Sequence, residues 1–208
     1  MPPLQFWYEF ASTYSYLSAM RIEDLAKAAC IEILWRPFLL GPIFKAQGWE
    51  TSPFNLYPTK GRYMIRDMQR LTQMRGLPFV LPEPFPQDSL LATRIALLGE
   101  TEGWTAPFTN AVYEAEFGEG ADISASSTLV GVLGRLGLDA DRITTSASEP
   151  RIKDGLRQRT TEAQSLGIFG APTFVPDDGE LFWGDDRLEQ ALAWANKRQV
   201  SSKDCGGS

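Results

Sequence analysis

The sequence predicts an α/β fold in which a block of helices interrupts a strand-rich frame. Three observations support this fold class. A strand–helix–strand pattern occupies the first 37 residues, helical patterns follow in series, and a strand–strand–helix pattern comes after them. An αβ domain with a helical insertion fits this order better than an all-helical or a sandwich arrangement.

The first element is an apolar strand that leads directly into a helix. Residues 4–10 are mostly apolar or aromatic, which is typical of a strand buried on both faces. Apolar residues recur at helical spacing between Tyr14 and Ala29, and apolar and polar residues then alternate from Ile31 to Pro37. Strand, helix and strand at this spacing predict a parallel βαβ unit.

The middle of the chain predicts five helices, which follow a segment without regular spacing of its apolar residues. That segment, 41–58, is rich in Pro, Gly and aromatic residues. The helical patterns begin near Met64, Leu91, Phe108, Leu129 and Pro150. The stripe of Met64, Met68 and Leu71 is expected in the core. After these helices in the sequence, residues 168–175 and 181–183 predict a hairpin, and the last helix begins at Gly184.

Composition and charge exclude several classes of protein. The 208 residues carry a formal net charge of −6, which disfavours binding to nucleic acid or to an anionic membrane. No apolar run approaches the roughly 20 residues of a membrane span, and the N-terminus lacks the pattern of a secretory signal. Only Cys30 and Cys205 are present, so we expect no disulfide framework, a cytoplasmic location, and a buried Cys30.

The chain contains no histidine, which limits its chemistry. Ser-His-Asp and Cys-His nucleophile systems are excluded, as are metal sites that depend on imidazole. We therefore predict no metal site. Any reaction must use hydroxyls, carboxylates, Lys or Arg, backbone dipoles or a bound cofactor.

A cluster of hydroxyls stands where the first strand meets the first helix. Ser12, Thr13, Tyr14 and Ser15 occupy this junction. By itself Ser12 predicts a simple N-cap, because Ser is a favoured capping residue. A helix N-terminus is also a binding site for anions, and a hydroxyl there can donate a hydrogen bond to a thiolate. Both interpretations of Ser12 are compatible.

Four segments together resemble the 2-hydroxychromene-2-carboxylate isomerases and the related kappa-class glutathione transferases, of the DsbA-like thioredoxin superfamily. They are FASTYSYL (10–17), GLP (76–78), FGAPT (169–173) and FWGDDRL (182–188). The resemblance covers nearly the whole chain to about Lys197. It departs from the family at Thr13, where Pro is usual, and at Asp185, where Asn is usual, which brings a negative charge close to the expected cofactor.

The resemblance implies a thioredoxin-like fold with a large α-helical insertion domain. The thioredoxin-like domain would comprise 1–40 and 166–200, the insertion 41–165, and a disordered tail 201–208. The usual Cys-x-x-Cys slot is occupied by the hydroxyl cluster, and Pro172 is expected to be the superfamily's cis-proline.

The resemblance also assigns residues to a glutathione site. Ser12 is the catalytic residue, which stabilises the glutathione thiolate. Asn55 and Lys60, in the segment 48–60 expected to be a loop, would bind the substrate. The glutathione-binding residues are Ser12, Ala171, Pro172, Trp183, Gly184, Asp185 and Asp186. On the residues alone, Trp183 and the aspartates predict only a core tryptophan and helix caps.

The implied function is a glutathione-dependent 2-hydroxychromene-2-carboxylate isomerase, or a close relative, acting on a small aromatic substrate. The alternatives are a kappa-class-like glutathione transferase and a non-catalytic glutathione- or peptide-binding protein with a thioredoxin-like fold. A dithiol oxidoreductase is disfavoured, because no Cys pair occupies the slot. The resemblance and the aromatic segment 49–57 predict a homodimer.

Overall fold

The structure is a computed structural model that describes residues 3–204. Within them a four-stranded sheet has the order β2-β1-β3-β4. Its strands are β1 (Leu4–Tyr8), β2 (Ile33–Pro37), β3 (Thr173–Val175) and β4 (Phe182–Trp183). β1 pairs with β2 in parallel and with β3 antiparallel, and β3 pairs with β4 antiparallel. The predicted βαβ unit and the predicted hairpin are both confirmed.

β1 lies inside the sheet and is buried on both faces, which explains its run of apolar residues. Phe6 stacks on Phe174 of β3, with ring centroids 5.5 Å apart, on one face of the sheet. Trp7 points to the other face and meets Phe38 edge-on at 5.8 Å. Because both faces are covered, a polar residue in or next to this strand needs partners of its own.

Two helices complete the frame around the sheet. α1 (Thr13–Ala28) starts five residues after β1 and carries the predicted hydroxyl cluster at its N-terminus. α10 (Leu188–Asp204) follows a 3₁₀ turn, Asp185–Arg187, and packs on α1. Helix α10 includes residues 201–204 of the predicted disordered tail, and residues 205–208 lie outside the described part of the chain.

Eight helices lie between β2 and β3. They are α2 (Leu40–Ala46), α3 (Pro53–Leu56), α4 (Pro58–Arg75), α5 (Leu90–Glu102), α6 (Thr105–Tyr113), α7 (Ser126–Arg135), α8 (Ala140–Ala147) and α9 (Pro150–Ser165). A π-turn, Glu114–Gly118, extends α6. The five predicted helices are confirmed, whereas α2, α3 and α8 were not predicted. The segment 48–60 is not a loop, since it contains α3 and the start of α4.

Two of the three residues in the predicted core stripe of α4 are buried, and Leu71, the third, is half-buried against the core. Met64 and Met68 are buried in the core, and α4 ends at Gly76, whose φ of +66° permits the left-handed turn. The prediction for Cys30 is wrong. Its backbone has a φ of +54° just after α1, and this turn leaves the cysteine exposed.

Candidate functional site

Ser12 lies at the mouth of a large cavity and makes two side-chain hydrogen bonds. Its Oγ accepts a bond from the backbone N–H of Ser15 at 3.3 Å, which caps α1. The same hydroxyl donates to the carbonyl oxygen of Ala171 at 2.9 Å. Thr13 instead turns its hydroxyl toward the Met64 sulfur, at 3.4 Å, and Ser15 is buried in the first turn. Of these three side chains, Ser12 is therefore the one placed between α1 and the opposite segment.

That opposite segment contains the predicted cis-proline. The Ala171–Pro172 peptide bond is cis, as the resemblance implied. The carbonyl of Pro172 accepts a bond from the N–H of Gly184 at 2.9 Å, and the Thr173 hydroxyl donates to the carbonyl of Gly170 at 2.8 Å. These bonds hold the segment 170–173 against β4, with the Ala171 carbonyl directed at Ser12. A carbonyl oxygen has a second lone pair, so Ser12 does not exhaust its capacity as an acceptor.

Trp183 forms a wall of the cavity and is not a core residue. It is 53% exposed, and its ring meets Phe169 at 4.9 Å between centroids. A Cβ atom on Gly170 would come within 2.4 Å of the Trp183 Nε1 atom, so this wall requires glycine at that position. Gly184, with a φ of +109°, then turns the chain toward the two aspartates.

Asp185 is buried within a network of cationic and hydroxyl groups. Arg75 Nη2 lies 2.6 Å from its Oδ2, and Arg21 Nη2 lies 3.2 Å from its Oδ1. The Ser18 hydroxyl also donates to Oδ1 at 2.9 Å. The charge that was expected to face a cofactor is therefore paired within the protein. Asp186 is largely exposed, beside Arg187, and is the freer of the two carboxylates.

Sequence reasoning missed Arg21 and Arg75, which hold Asp185. The Asp185 carboxylate meets Arg75, which is 110 positions away in the sequence, and Arg21, which is 164 positions away. Both arginines lie on helices whose polar faces carry other charged residues, so nothing in the sequence distinguishes them. Only the folded chain brings α1, α4 and the 3₁₀ turn to one point.

The cavity has a volume of about 1810 Å³. Aromatic side chains from segments that are distant in the sequence, such as Phe54 and Trp183, line it. Lys60 belongs to this wall, with its Nζ 4.8 Å from the centre of the Tyr57 ring. Asn55 does not belong to it: its amide is exposed and donates to the Thr51 hydroxyl at 3.2 Å. The structure thus brings Lys60 together with Ser12 around one cavity and leaves Asn55 outside its lining.

Sequence reasoning also missed Glu9, which lines the cavity just before Ser12. Glu9 is 6% exposed, its carboxylate accepts a hydrogen bond from the Ser89 hydroxyl, and its backbone carbonyl accepts one from the Tyr113 hydroxyl at 2.9 Å. Burial raises the pKa of Glu9 to about 7, against the lowering effect of the Ser89 bond. A lone carboxylate next to an apolar strand was the signal available in the sequence.

A second acid, Glu116, is buried in the π-turn after α6. Its exposed fraction is 0%, and its two carboxylate oxygens have no hydrogen-bond partner among the described residues. Burial, and secondly the charge of Glu9, raise the pKa of Glu116 well above its ordinary value. Burial therefore favours the protonated, neutral form of the Glu116 carboxyl.

Residues 3–204 contain neither a membrane-spanning helix nor a cluster of metal-binding side chains. No helix there is both long and apolar enough to cross a membrane. No group of three or more His, Cys, Asp or Glu side chains in the same range is arranged to hold a metal ion. The polar side chains that line the cavity include hydroxyls, carboxylates, Lys, Arg and the amides of Gln47 and Gln87.

Known proteins resemble this chain over nearly its full length. It is 29% identical over 188 residues to 2-hydroxychromene-2-carboxylate isomerase from Sphingobium xenophagum, with 89% of this chain and 94% of that protein covered. It is 26% identical over 199 residues to glutathione S-transferase kappa 1 from Rattus norvegicus, with 89% and 87% covered. A solved structure of 2-hydroxychromene-2-carboxylate isomerase superposes with a TM-score of 0.85 at 26% identity, covering 98% of this chain and 99% of that one.

These similarities confirm the resemblance seen in the sequence and the thioredoxin-like fold. The family model of the DSBA-like thioredoxin domain matches residues 3–193, which include the sheet, α1 and all the helices between β2 and β3. The chain therefore belongs to the family of DSBA-like thioredoxin domains.

Proposed function

We propose that this protein is a glutathione-dependent isomerase of the 2-hydroxychromene-2-carboxylate type, acting on a small intermediate of aromatic catabolism. One observation carries the proposal. The hydroxyl of Ser12 caps α1 and faces the cis-proline segment, in the slot where dithiol oxidoreductases of this superfamily hold cysteine. A site that can stabilise a thiolate but has no cysteine in its lining suits a cofactor that carries a thiol. Relatives named as 2-hydroxychromene-2-carboxylate isomerases support this choice.

The residues around the cavity fit the charged groups of glutathione. The N-terminus of α1 and the Ser12 hydroxyl suit the sulfur, and the exposed Asp186 suits the ammonium group. Arg75, which also lines the cavity, suits one of its carboxylates. Pockets for one small ligand measure about 300–1,000 Å³. The cavity of about 1810 Å³ therefore has room for the tripeptide and an aromatic acid together.

When bound, glutathione supplies a thiolate that adds reversibly to a conjugated carbon of the substrate. The Ser12 hydroxyl, which donates to the Ala171 carbonyl in this structure, would donate to the sulfur instead, and this charge-assisted hydrogen bond would be stronger than the neutral one. Lys60 stabilises negative charge that develops on the substrate oxygen. The aromatic walls, Trp183 among them, exclude water and pack against the substrate ring.

Thiol–disulfide exchange by the chain itself is not part of the proposal. Cys30 follows the C-terminal end of α1, whereas Ser12 precedes its N-terminus. A helix of 16 residues is about 24 Å long at 1.5 Å per residue, so Cys30 is far from the cavity. Cys205 lies outside the described residues.

Replacement of Ser12 by alanine tests the proposal. A charge-assisted hydrogen bond contributes about 1.5–3 kcal/mol, so Ser12→Ala should raise the pKa of bound glutathione by roughly one to two units. Turnover of 2-hydroxychromene-2-carboxylate should fall roughly ten- to a hundredfold. The ultraviolet absorbance of the bound thiolate, titrated against pH, measures the first effect, and product formation measures the second.

Asp139→Ala provides a matched control, because Asp139 caps α8 by accepting a bond from the backbone N–H of Arg142 at 3.0 Å, away from the cavity. Both variants lose an N-cap, which costs about 1 kcal/mol of stability. Only Ser12→Ala should change the thiol pKa. If wild-type protein does not bind glutathione, or if Ser12→Ala leaves both pKa and turnover unchanged, the proposal is wrong.

A kappa-class-like transferase is the second candidate, supported by the similarity to glutathione S-transferase kappa 1. Mass spectrometry of the product separates the two activities. An isomerase returns a product with the mass of its substrate, whereas a transferase retains the mass of glutathione. Binding of glutathione without turnover of any conjugated electrophile would identify a non-catalytic binding protein. A cytoplasmic location and a separate helical domain at 41–165 belong to the same proposal.

A further inference from the structure

Glu9 is a buried carboxylate in the lining of the cavity that contains the proposed thiol site. Its side chain lines the same cavity as Ser12, three residues away, and the N–H of Ser12 donates to the Glu9 carbonyl at 3.0 Å. We propose that the Glu9 carboxylate accepts the proton of the glutathione thiol and returns it when the sulfur leaves the substrate. This inference rests on the proposed function and assigns a second catalytic residue to the same site.

The need for an acceptor follows from the chemistry of the other groups. A thiol of ordinary pKa, about 8.5, is mostly protonated at neutral pH. Ser12 can donate a hydrogen bond to the thiolate, but its hydroxyl is too weak a base to remove the proton. The chain has no histidine to perform this step. A carboxylate inside the cavity can act as that base.

Among the described carboxylates that line the cavity, Glu9 has the environment of a base. Asp185 is held by Arg21 and Arg75. Asp67 accepts bonds from Tyr14 at 2.9 Å and from Arg70 at 2.8 Å. The exposed carboxylates in this lining are Glu50, Asp88 and Asp186. Glu9 differs from Asp185, the other buried carboxylate of this lining, because its carboxylate is bonded to a neutral donor, the Ser89 hydroxyl, and not to arginines.

The transfer is balanced within the site. The S–H bond of the thiol breaks, its electron pair stays on the sulfur, and the proton forms an O–H bond with a Glu9 oxygen. When the sulfur leaves the substrate, the same proton returns, so the protein ends in its starting state. The pKa of Glu9, about 7, lies close to that of a thiol, which allows transfer in both directions near neutral pH.

The groups around Glu9 determine its titration. Burial raises its pKa most, the Ser89 hydroxyl and the backbone N–H of Ala11 lower it, and the charge of Asp88 raises it. The Tyr113 hydroxyl faces the Glu9 carbonyl. Burial, and secondly the charge of Glu9, raise the pKa of Glu116 in the π-turn. Of these two buried acids, Glu9 is the one that lines the cavity with Ser12.

The number of protons released on binding tests the inference without any turnover. Glutathione is added to the protein in weak buffer at pH 8, with a pH indicator to count protons and ultraviolet absorbance to count thiolates. In the wild type Glu9 is mostly ionised at pH 8 before glutathione binds, and the negative charge of the thiolate raises its pKa, so Glu9 takes up part of the proton and each thiolate should release clearly less than one proton to the buffer. In Glu9→Gln, which has no base, each thiolate should release about one proton to the buffer, and less thiolate should form.

Ser89→Ala provides a second test that keeps the carboxylate. The Ser89 bond lowers the pKa of Glu9, so its loss should raise that pKa. In a plot of bound thiolate against pH, the low-pH limb should therefore move to higher pH by up to about one unit. Glu116→Gln, a matched change of a buried acid outside the cavity lining, should leave this pH dependence unchanged.

The possible failures are distinguishable. If the wild type forms no thiolate at all, the proposed function is wrong and the role of Glu9 is wrong with it. If wild type and Glu9→Gln form thiolate with the same proton count, glutathione binding stands and only the role of Glu9 is overturned. An unshifted limb in Ser89→Ala also overturns that role.

Discussion

The single hydroxyl of Ser12 combines a structural and a chemical role. The hydrogen bond that it accepts from the Ser15 N–H caps α1, and the one that it donates to the Ala171 carbonyl joins the helix to the cis-proline segment. The second bond is not needed for capping, since a capping oxygen only accepts. The direction of the hydroxyl proton is what makes the residue useful at a site for an anion, because the same proton can be donated to sulfur.

Glu9→Gln should change the pH dependence of stability. The folded pKa of Glu9, about 7, is higher than its ordinary value of 4.5, so the folded protein resists its ionisation. The stability of the wild type is therefore lost as pH rises from about 4.5 to 7, by roughly 3 kcal/mol in total. Glutamine does not ionise, so the variant should gain stability relative to wild type over this range and hold the gain above it.

Urea denaturation at pH 5 and at pH 8 measures this difference in the free energy of unfolding. Glu23→Gln, on the exposed face of α1, controls for the loss of a surface carboxylate. Parallel pH profiles of wild type and Glu9→Gln would contradict the raised pKa. A gain at pH 8 would also show that the variant is well folded under the conditions of the proton-release experiment.

At the scale of helices and strands, periodicity predicted the long elements and missed the short ones. α1 and α9, with 16 residues each, present several turns of apolar spacing. α8 buries only Ile143 and Ala147, one turn apart, which is too little repetition for a pattern to be recognised. α3 has four residues and owes its start to Pro53 after the capping Ser52.

The same limit explains which parts of the candidate site were predictable. Ser12, Pro172 and Trp183 lie in contiguous motifs, so the sequence identified them directly. The partners of Asp185 are set by the approach of three distant elements, and no local pattern encodes that approach. Asn55 and Lys60 were predicted together from one segment. The helical path of α3 and α4 separates them and leaves only Lys60 in the cavity lining.

The ion pair of Arg75 and Asp185 should couple α4 to the thioredoxin-like frame. Asp185 is 4% exposed and Arg75 25%, so water screens this pair far less than a surface pair. Removal of either residue leaves the charge of the other largely buried and without its main ion-pair partner. A double-mutant cycle of Arg75→Ala and Asp185→Ala should therefore give a coupling of about 1–3 kcal/mol in the free energy of unfolding.

The exposed pair of Arg157 and Asp154 on α9 is the matched control, because its side chains are 74% and 61% exposed. Its cycle should give less than about 0.5 kcal/mol, as is usual for surface pairs. Equal coupling energies in the two cycles would show that Asp185 does not anchor α4. Raised salt should weaken the control further and leave the buried pair nearly unchanged.

At the scale of the whole molecule, the apolar surface is concentrated beside the cavity. Leu56, Tyr57 and Tyr63 are 39%, 51% and 62% exposed, and they lie on or between α3 and α4. Trp49, in the same region, is half-buried and packs on Phe44 at 5.8 Å. Isolated exposed apolar residues are ordinary, but a group on adjacent helices is typical of an interaction surface. The predicted aromatic segment thus contributes only part of its residues to this surface.

We predict that the protein is a homodimer and that this α3–α4 surface forms its interface. Burial of apolar surface contributes about 25 cal/mol per Å², so a second copy that covers these rings is favoured over water. Light scattering at micromolar concentration should give twice the 23.2 kDa of one chain. Leu56→Asp combined with Tyr57→Asp should reduce the mass to that of one chain, because a symmetric interface would bring the new charges of both copies together.

Val130→Asp is the control for a new surface charge, since Val130 is 39% exposed but lies on α7, outside this surface. It should leave the measured mass unchanged. A wild-type mass of one chain would refute the dimer, and a dimer that survives the double substitution would refute this interface. Because Lys60 and Tyr63 connect the surface to the cavity wall, a monomeric variant should also bind the aromatic substrate more weakly while it retains glutathione.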